Sequence, residues 1–241
     1  MTLLFVALLA FVGSFCQAIT GFGGTILMMT LMPMLYEFNA AAGITSAVCC
    51  PIALLLMLRY RKAIRLRTLA VPLICYLITS TVAVQLAAGM DLSVLKVIFG
   101  VFLIVLAAYS YFAPSFRVKN SIPVAILCGT FAGISGGFFS IGGPLLVLYF
   151  LAATQSREEY VANINVVFFV TNLWQSGVRA VNGILQPSML LPIALGICGV
   201  LIGTLTGDKA ASKINAELMK KLIYLFLALS GVISILETLL R

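Results

Sequence analysis

Gly133-Ile134-Ser135-Gly136-Gly137-Phe138-Phe139-Ser140-Ile141-Gly142-Gly143-Pro144 lies inside an apolar stretch that runs without a charge from about residue 122 to 154. A single helix of about 33 residues would measure about 50 Å, far more than the ~30 Å of hydrocarbon in a bilayer. The glycines and Pro144 therefore break the stretch into two pieces. A second stretch of the same kind opens the chain, near residues 3–35, and carries Gly21-Phe22-Gly23-Gly24. Six ordinary apolar segments follow the two broken ones, near 40–58, 68–89, 93–112, 160–182, 187–207 and 217–239. Each is long enough to cross a membrane as a helix.

Composition agrees. Of 241 residues 62% are hydrophobic and 9% charged, whereas a soluble domain carries about a quarter charged. The lipid bilayer is thus the main partner. Continuously apolar runs such as Val97 to Ala108 are unlike the alternating ten-residue strands of a membrane barrel. The expected fold class is an all-α integral membrane protein, and short connections make residues 1–241 a single transmembrane domain. Met1 to Gln17 lacks the basic start and small-residue cleavage site of a secretory signal, so it reads as a retained segment. Phe15 before Cys16 argues against lipidation at that cysteine. No pair among the six cysteines has C-x-x-C spacing and histidine is absent, so no metal site and no cofactor is expected. The net charge of +8 is read as a topology signal and implies no nucleic acid.

Gly23-Gly24 aligns with Gly142-Gly143, Arg59 falls close to Arg179, and Pro72-Leu73 falls on Pro192-Ile193. Read so, the chain is a duplication of about 1–112 and about 122–241, each half a glycine-broken segment followed by three spans. Charge decides how the broken segments cross. If all eight segments cross once, nine of the fifteen basic residues lie on the side of the 59–67 loop (Arg59, Arg61, Lys62, Arg65, Arg67, Arg117, Lys119, Arg179, Arg241). If segments one and five are re-entrant hairpins, the second half is inverted. Arg157, Lys209, Lys213, Lys220 and Lys221 then join that side and Arg179 and Arg241 leave it, which makes twelve of fifteen. The excess of lysine and arginine in cytoplasmic loops favours inverted repeats with both termini outside.

A hairpin that enters and leaves on one side holds backbone at membrane depth, where protein or a watery cavity must satisfy its amides. At Gly21, Gly23, Gly24, Gly142 and Gly143 the chain turns and starts new helices, with Pro144 suited to a first turn. Two half-helix N-termini facing each other would hold an anion without a buried lysine. Gln17, Thr20, Thr25 and Ser140 add neutral donors beside them, with Ser135 further along. In the sixth segment Asn165, Asn172 and Arg179 recur every seven residues with Gln175 and Ser176 beside them, one polar face that should look inward along the solute path. Arg59 and Arg179 stand near segment ends, where snorkelling to the interface is the commoner reading and attraction of an anion at the two mouths the sharper one; Arg179 is counted with the substrate-binding residues. The carboxylates Glu37, Asp91, Glu158, Glu159, Asp208, Glu217 and Glu237 all fall in or near loops and ends. No built-in proton relay is therefore named, and uniport or substrate-borne proton movement is the expected mechanism.

Gln17-Ala18-Ile19-Thr20-Gly21-Phe22-Gly23-Gly24 and the Gly133 to Pro144 run, with a basic loop after the second span, resemble the TauE/SafE family of sulfite exporters over nearly the whole chain. The resemblance implies a transporter of sulfite, an organosulfonate or a related small anion in a bacterial cytoplasmic (inner) membrane. Here Thr25 stands where the second cluster has Pro144, and the sixth segment is richer in asparagine than the family pattern suggests. The expected function is secondary transport of a small anionic substrate by one half rocking against the other, with no enzymatic activity. An anion channel is the nearest rival and an intramembrane enzyme a remote one. A homodimer is the assembly left open.

Overall fold

The computed structural model describes residues 2–20, 23–112, 119–210, 214 and 216–239. Ten helices account for most of them: α1 (Thr2–Thr20), α2 (Gly24–Leu31), α3 (Phe38–Arg59), α4 (Leu66–Gly89), α5 (Leu92–Phe112), α6 (Ile122–Phe139), α7 (Gly143–Ala153), α8 (Arg157–Val181), α9 (Leu190–Ala210) and α10 (Ala216–Leu239). No strand occurs among the described residues. Among the described residues five segments are long and apolar enough to cross a membrane: Phe38–Arg59, Leu66–Gly89, Leu92–Tyr109, Ile122–Phe139 and Pro187–Ala210. Leucine and isoleucine side chains such as Leu8, Ile78 and Leu205 project from the outer faces of the bundle, where only lipid can bury them. The protein is a polytopic membrane protein.

Polar residues set where helices start. The Asp91 carboxylate accepts the Ser93 N–H at 2.7 Å before α5, and the Ser156 hydroxyl accepts the Glu159 N–H at 3.1 Å before α8. These oxygens satisfy amides that have no partner inside the helix. Both glycine-broken stretches are split as their length demands. The first divides at Gly23, whose φ of 99° is open to glycine at little cost. Beyond it α2 doubles back along α1, with Gly24 beside Gln17 and Gly13, and Met28 beside Gly13. The second divides at Ser140, Ile141 and Gly142, where α7 turns back towards Ala132 of α6.

Four helix pairs build the bundle: α1 with α9, α4 with α6, α5 with α10 and α3 with α8. Glycines set three of them. A methyl on Gly129, Gly133 or Gly137 would run into the α4 backbone at Pro72, Tyr76 and Ser80. One on Gly199, Gly203 or Gly207 would meet the α1 backbone at Ala7, Phe11 and Phe15. Rising numbers on both partners show that each of these pairs is parallel. Gly100 of α5 and Gly231 of α10 lie back to back in an antiparallel crossing, a Cβ on either falling 2.7 Å from the other's carbonyl oxygen. Small residues at every fourth position let membrane helices approach this closely. The α3 and α8 pair is antiparallel and polar instead, joined through Ser46 and Gln175 and through Cys50 and the Phe169 carbonyl.

The two ends of the bundle differ in chemistry. At one end the connection after α3 is clamped onto α8. Asn163 accepts the Arg65 N–H at 2.8 Å and donates to Ala63, and an Arg65–Glu159 ion pair closes the clamp. At the other end Asn39 donates to the Ala87 carbonyl at 3.2 Å. Beside it Phe139 packs edge-on against Phe38 and tilted against Phe99, Phe102 and Phe138, ring centroids 5.1 to 6.1 Å apart.

Candidate functional site

A cavity of about 30 Å³ lies midway along the helices where the two broken segments meet. Gly23 and Thr25 reach it from the start of α2, and Gly142, Gly143 and Pro144 from the start of α7. Gln17 of α1, Tyr76 of α4, Ser140, and Phe168, Thr171 and Asn172 of α8 complete its polar and aromatic wall. Among the described residues the lining contains no carboxylate and no lysine, arginine or histidine. Hydroxyls, amides and the first N–H groups of two helices therefore set its electrostatics, and helix N-termini carry partial positive charge. The side chains of Gln17, Thr25 and Asn172 line it without a hydrogen bond to other described residues. The volume admits about two water-sized groups.

A second cavity of about 120 Å³ adjoins the first through Gln17, Ile52 and Phe168, which line both. Its wall includes Arg59, Tyr60, Arg157, Tyr160, Asn165 and Asp208, so it opens at the basic end of the bundle. The Arg59 guanidinium lies 5.6 Å from the Tyr60 ring centre and is exposed.

The candidate residues thus fall at different depths. Gln17, Gly23, Thr25, Ser140, Gly142, Gly143, Pro144 and Asn172 line the inner cavity, whereas Asn165 lines the outer one and donates to the Val161 carbonyl at 2.8 Å. Gly24 packs on α1. Ser135 bonds back to its own helix at Phe131, as Ser176 does at Asn172. Gly21 lies outside the described residues, as does the side chain of Thr20. Asn165, Asn172 and Arg179 do share a buried face of α8, but three depths along it.

Arg179 requires a correction. Its place near a segment end suggested snorkelling, yet it is only 2% exposed. Because the end of α8 packs on α3, with Arg179 against Gly43, the guanidinium points into protein, donating to the Gly137 carbonyl at 2.6 Å and to Gln175 Oε1 at 3.1 Å. Gln175 stands behind the cavity wall, its Nε2 donating to the Tyr76 hydroxyl at 2.6 Å. Ser140 is held by the Ala42 carbonyl at 2.7 Å and by Ser46 at 2.8 Å. Its φ of 57° is a left-handed conformation that a non-glycine residue adopts under strain.

Tyr76, Phe168 and Thr171 escaped the reading of the sequence. Tyr76 left one signal, a tyrosine at the middle of a span, where tyrosines belong at the interfaces. Its ring explains two glycines, since a Cβ on Gly142 would lie 2.5 Å from Cε2 and one on Gly136 would strike the hydroxyl. Phe168 and Thr171 left none, being ordinary residues in a membrane helix.

A family model described as Sulfite exporter TauE/SafE matches residues 6–233. No curated protein and no solved structure matches the chain.

Proposed function

The chain belongs to the sulfite exporter TauE/SafE family, and from that premise we propose that it is a secondary carrier of a small sulfur-containing anion in a bacterial cytoplasmic membrane. The observation that carries the reading is the inner cavity, where two helix N-termini and three unpartnered polar side chains converge with no acidic group among the described residues. Such a wall donates hydrogen bonds from every side and offers no competing negative charge. A compact oxyanion such as sulfite comes nearer to its small size than an organosulfonate, whose tail would have to pass Phe168 into the outer cavity.

The proposed architecture is a pair of inverted repeats, α1–α5 and α6–α10, each beginning with a re-entrant hairpin. In support, α3 and its counterpart α8 run in opposite directions, as do α5 and α10, and α1 packs on α9 as α6 packs on α4. The 59–67 loop, Arg157 and Lys209 then share the cytoplasmic side. The outer cavity opens towards that side and the phenylalanines around Phe139 close the other. Rocking of one half against the other would exchange the two.

Counterflow tests both carrier and substrate. Proteoliposomes loaded with unlabelled sulfite are expected to draw in labelled sulfite transiently above its equilibrium level, and labelled taurine or sulfoacetate more slowly. Flux without counterflow but with single-channel currents would replace the carrier by a channel. No flux of any of the three would remove sulfur anions as substrates.

A further inference from the structure

The Arg179 guanidinium is buried with no carboxylate beside it; among the described residues the only ion pair is Arg65 with Glu159. An uncompensated buried cation is expensive in a membrane protein, and its field favours an anion nearby. It has a directed route to the inner cavity. Guanidinium N–H groups can only donate, so Arg179 Nη1 fixes Oε1 of Gln175 towards itself, and hydroxyls of Ser46 and Ser140 approach the same oxygen at 3.4 Å. The amide nitrogen of Gln175 must then face the other way, and it donates to Tyr76 Oη at 2.6 Å. With its oxygen accepting, Tyr76 has its own O–H left to give, and it lines the cavity together with Thr171. Gly136 keeps this route open, because a Cβ there would strike the Tyr76 hydroxyl and lie 2.9 Å from Gln175 Nε2.

We propose that Arg179, through Gln175 and Tyr76, forms a one-way hydrogen-bond relay that sets the cavity's affinity for anions. Tyr76 touches the substrate, and Arg179 and Gln175 are positioning residues that act through it. Each donor polarises the next, so the Tyr76 hydroxyl is a stronger donor to an anion than an isolated phenol. The relay rests on the reading of the inner cavity as the anion site.

The test measures KM and maximal rate for sulfite uptake in proteoliposomes, and the melting temperature in detergent, for wild type, Tyr76→Phe and Gln175→Glu. Tyr76→Phe keeps the ring against Gly136 and Gly142 and removes only the donor; KM should rise about tenfold, the weight of one hydrogen bond to a charged group. Gln175→Glu is nearly isosteric and gives Arg179 a carboxylate, so the melting temperature should hold or rise. That carboxylate accepts a hydrogen bond from the Tyr76 O–H, turning it away from the cavity, and cancels the Arg179 charge, so KM should rise by tenfold or more. A purely structural role for Gln175 predicts the reverse, a lower melting temperature with KM unchanged, and that result overturns the relay. Unchanged KM in Tyr76→Phe overturns it as well. Wild type that takes up no sulfite overturns the cavity reading itself and the relay with it.

Discussion

Gly142 and Gly143 are neighbours with opposite tolerances for a side chain. A Cβ on Gly142 would collide with the Tyr76 ring and the Ala132 carbonyl, whereas one on Gly143 would rest at 3.5 Å from Phe168. Gly142→Ala should therefore destabilise the protein by about 1–3 kcal/mol, the usual penalty of overpacking, and Gly143→Ala by much less, as read from melting temperatures in detergent. At Ser140 the hydroxyl, bonded to Ala42 and Ser46, holds a backbone conformation that glycine would adopt freely. Ser140→Ala keeps the strain and loses the bonds, so it should be less stable than Ser140→Gly by about 1 kcal/mol. The sequence marks both glycines as break points through the length of the stretch around them. It does not reveal that Gly142 accommodates a tyrosine, because Tyr76 lies on another helix and only packing brings them together. Arg179 was misjudged for a related reason: distance from the end of an apolar run says nothing about whether lipid or protein covers that end.

At the scale of helices, hydropathy makes the segments and their limits legible, down to the split at Gly23 and at Ser140 to Gly142. Partners are less visible. The fourfold spacing of Gly129, Gly133 and Gly137 and of Gly199, Gly203 and Gly207 announces close packing, but nothing local says that α4 and α1 are the helices they meet. Larger side chains on either stripe should separate its pair. Gly203→Leu, facing the α1 backbone, should lower the yield of folded protein in detergent far more than Leu205→Ala on the exposed face of the same helix. On α8, Asn163 looks like part of a polar transport path, yet its side chain clamps the basic connection through Arg65 and Ala63. Asn163→Ala leaves those backbone groups unpaired and should cost about 1–3 kcal/mol. The KM for sulfite should stay as it is.

For the molecule as a whole, the distribution of basic residues is the long-range information the sequence carries most plainly. It leads to the inverted arrangement because lysines and arginines follow the cytoplasmic side. Lys119 and Lys209, both exposed, should consequently share a side of the membrane. Cysteines placed at each, in a cysteine-free background, should react with an impermeant reagent from the same face, while eight single crossings would put them on opposite faces. The phenylalanine cluster at the far end was not legible, since its rings come from α3, α5 and α6 and converge only in the fold. The inner cavity was legible in outline, through its paired glycines and Asn172, but its tyrosine and its relay were not. That cavity is the place where the anion is proposed to sit. Asn172 lines it with an unpartnered amide, and the most direct measurement is saturable uptake of radiolabelled sulfite by wild-type and Asn172→Ala proteoliposomes of equal protein content. A KM raised about tenfold in the variant, the loss of one hydrogen bond to an anion, is the predicted result; identical KM and rate in the two proteins would contradict it.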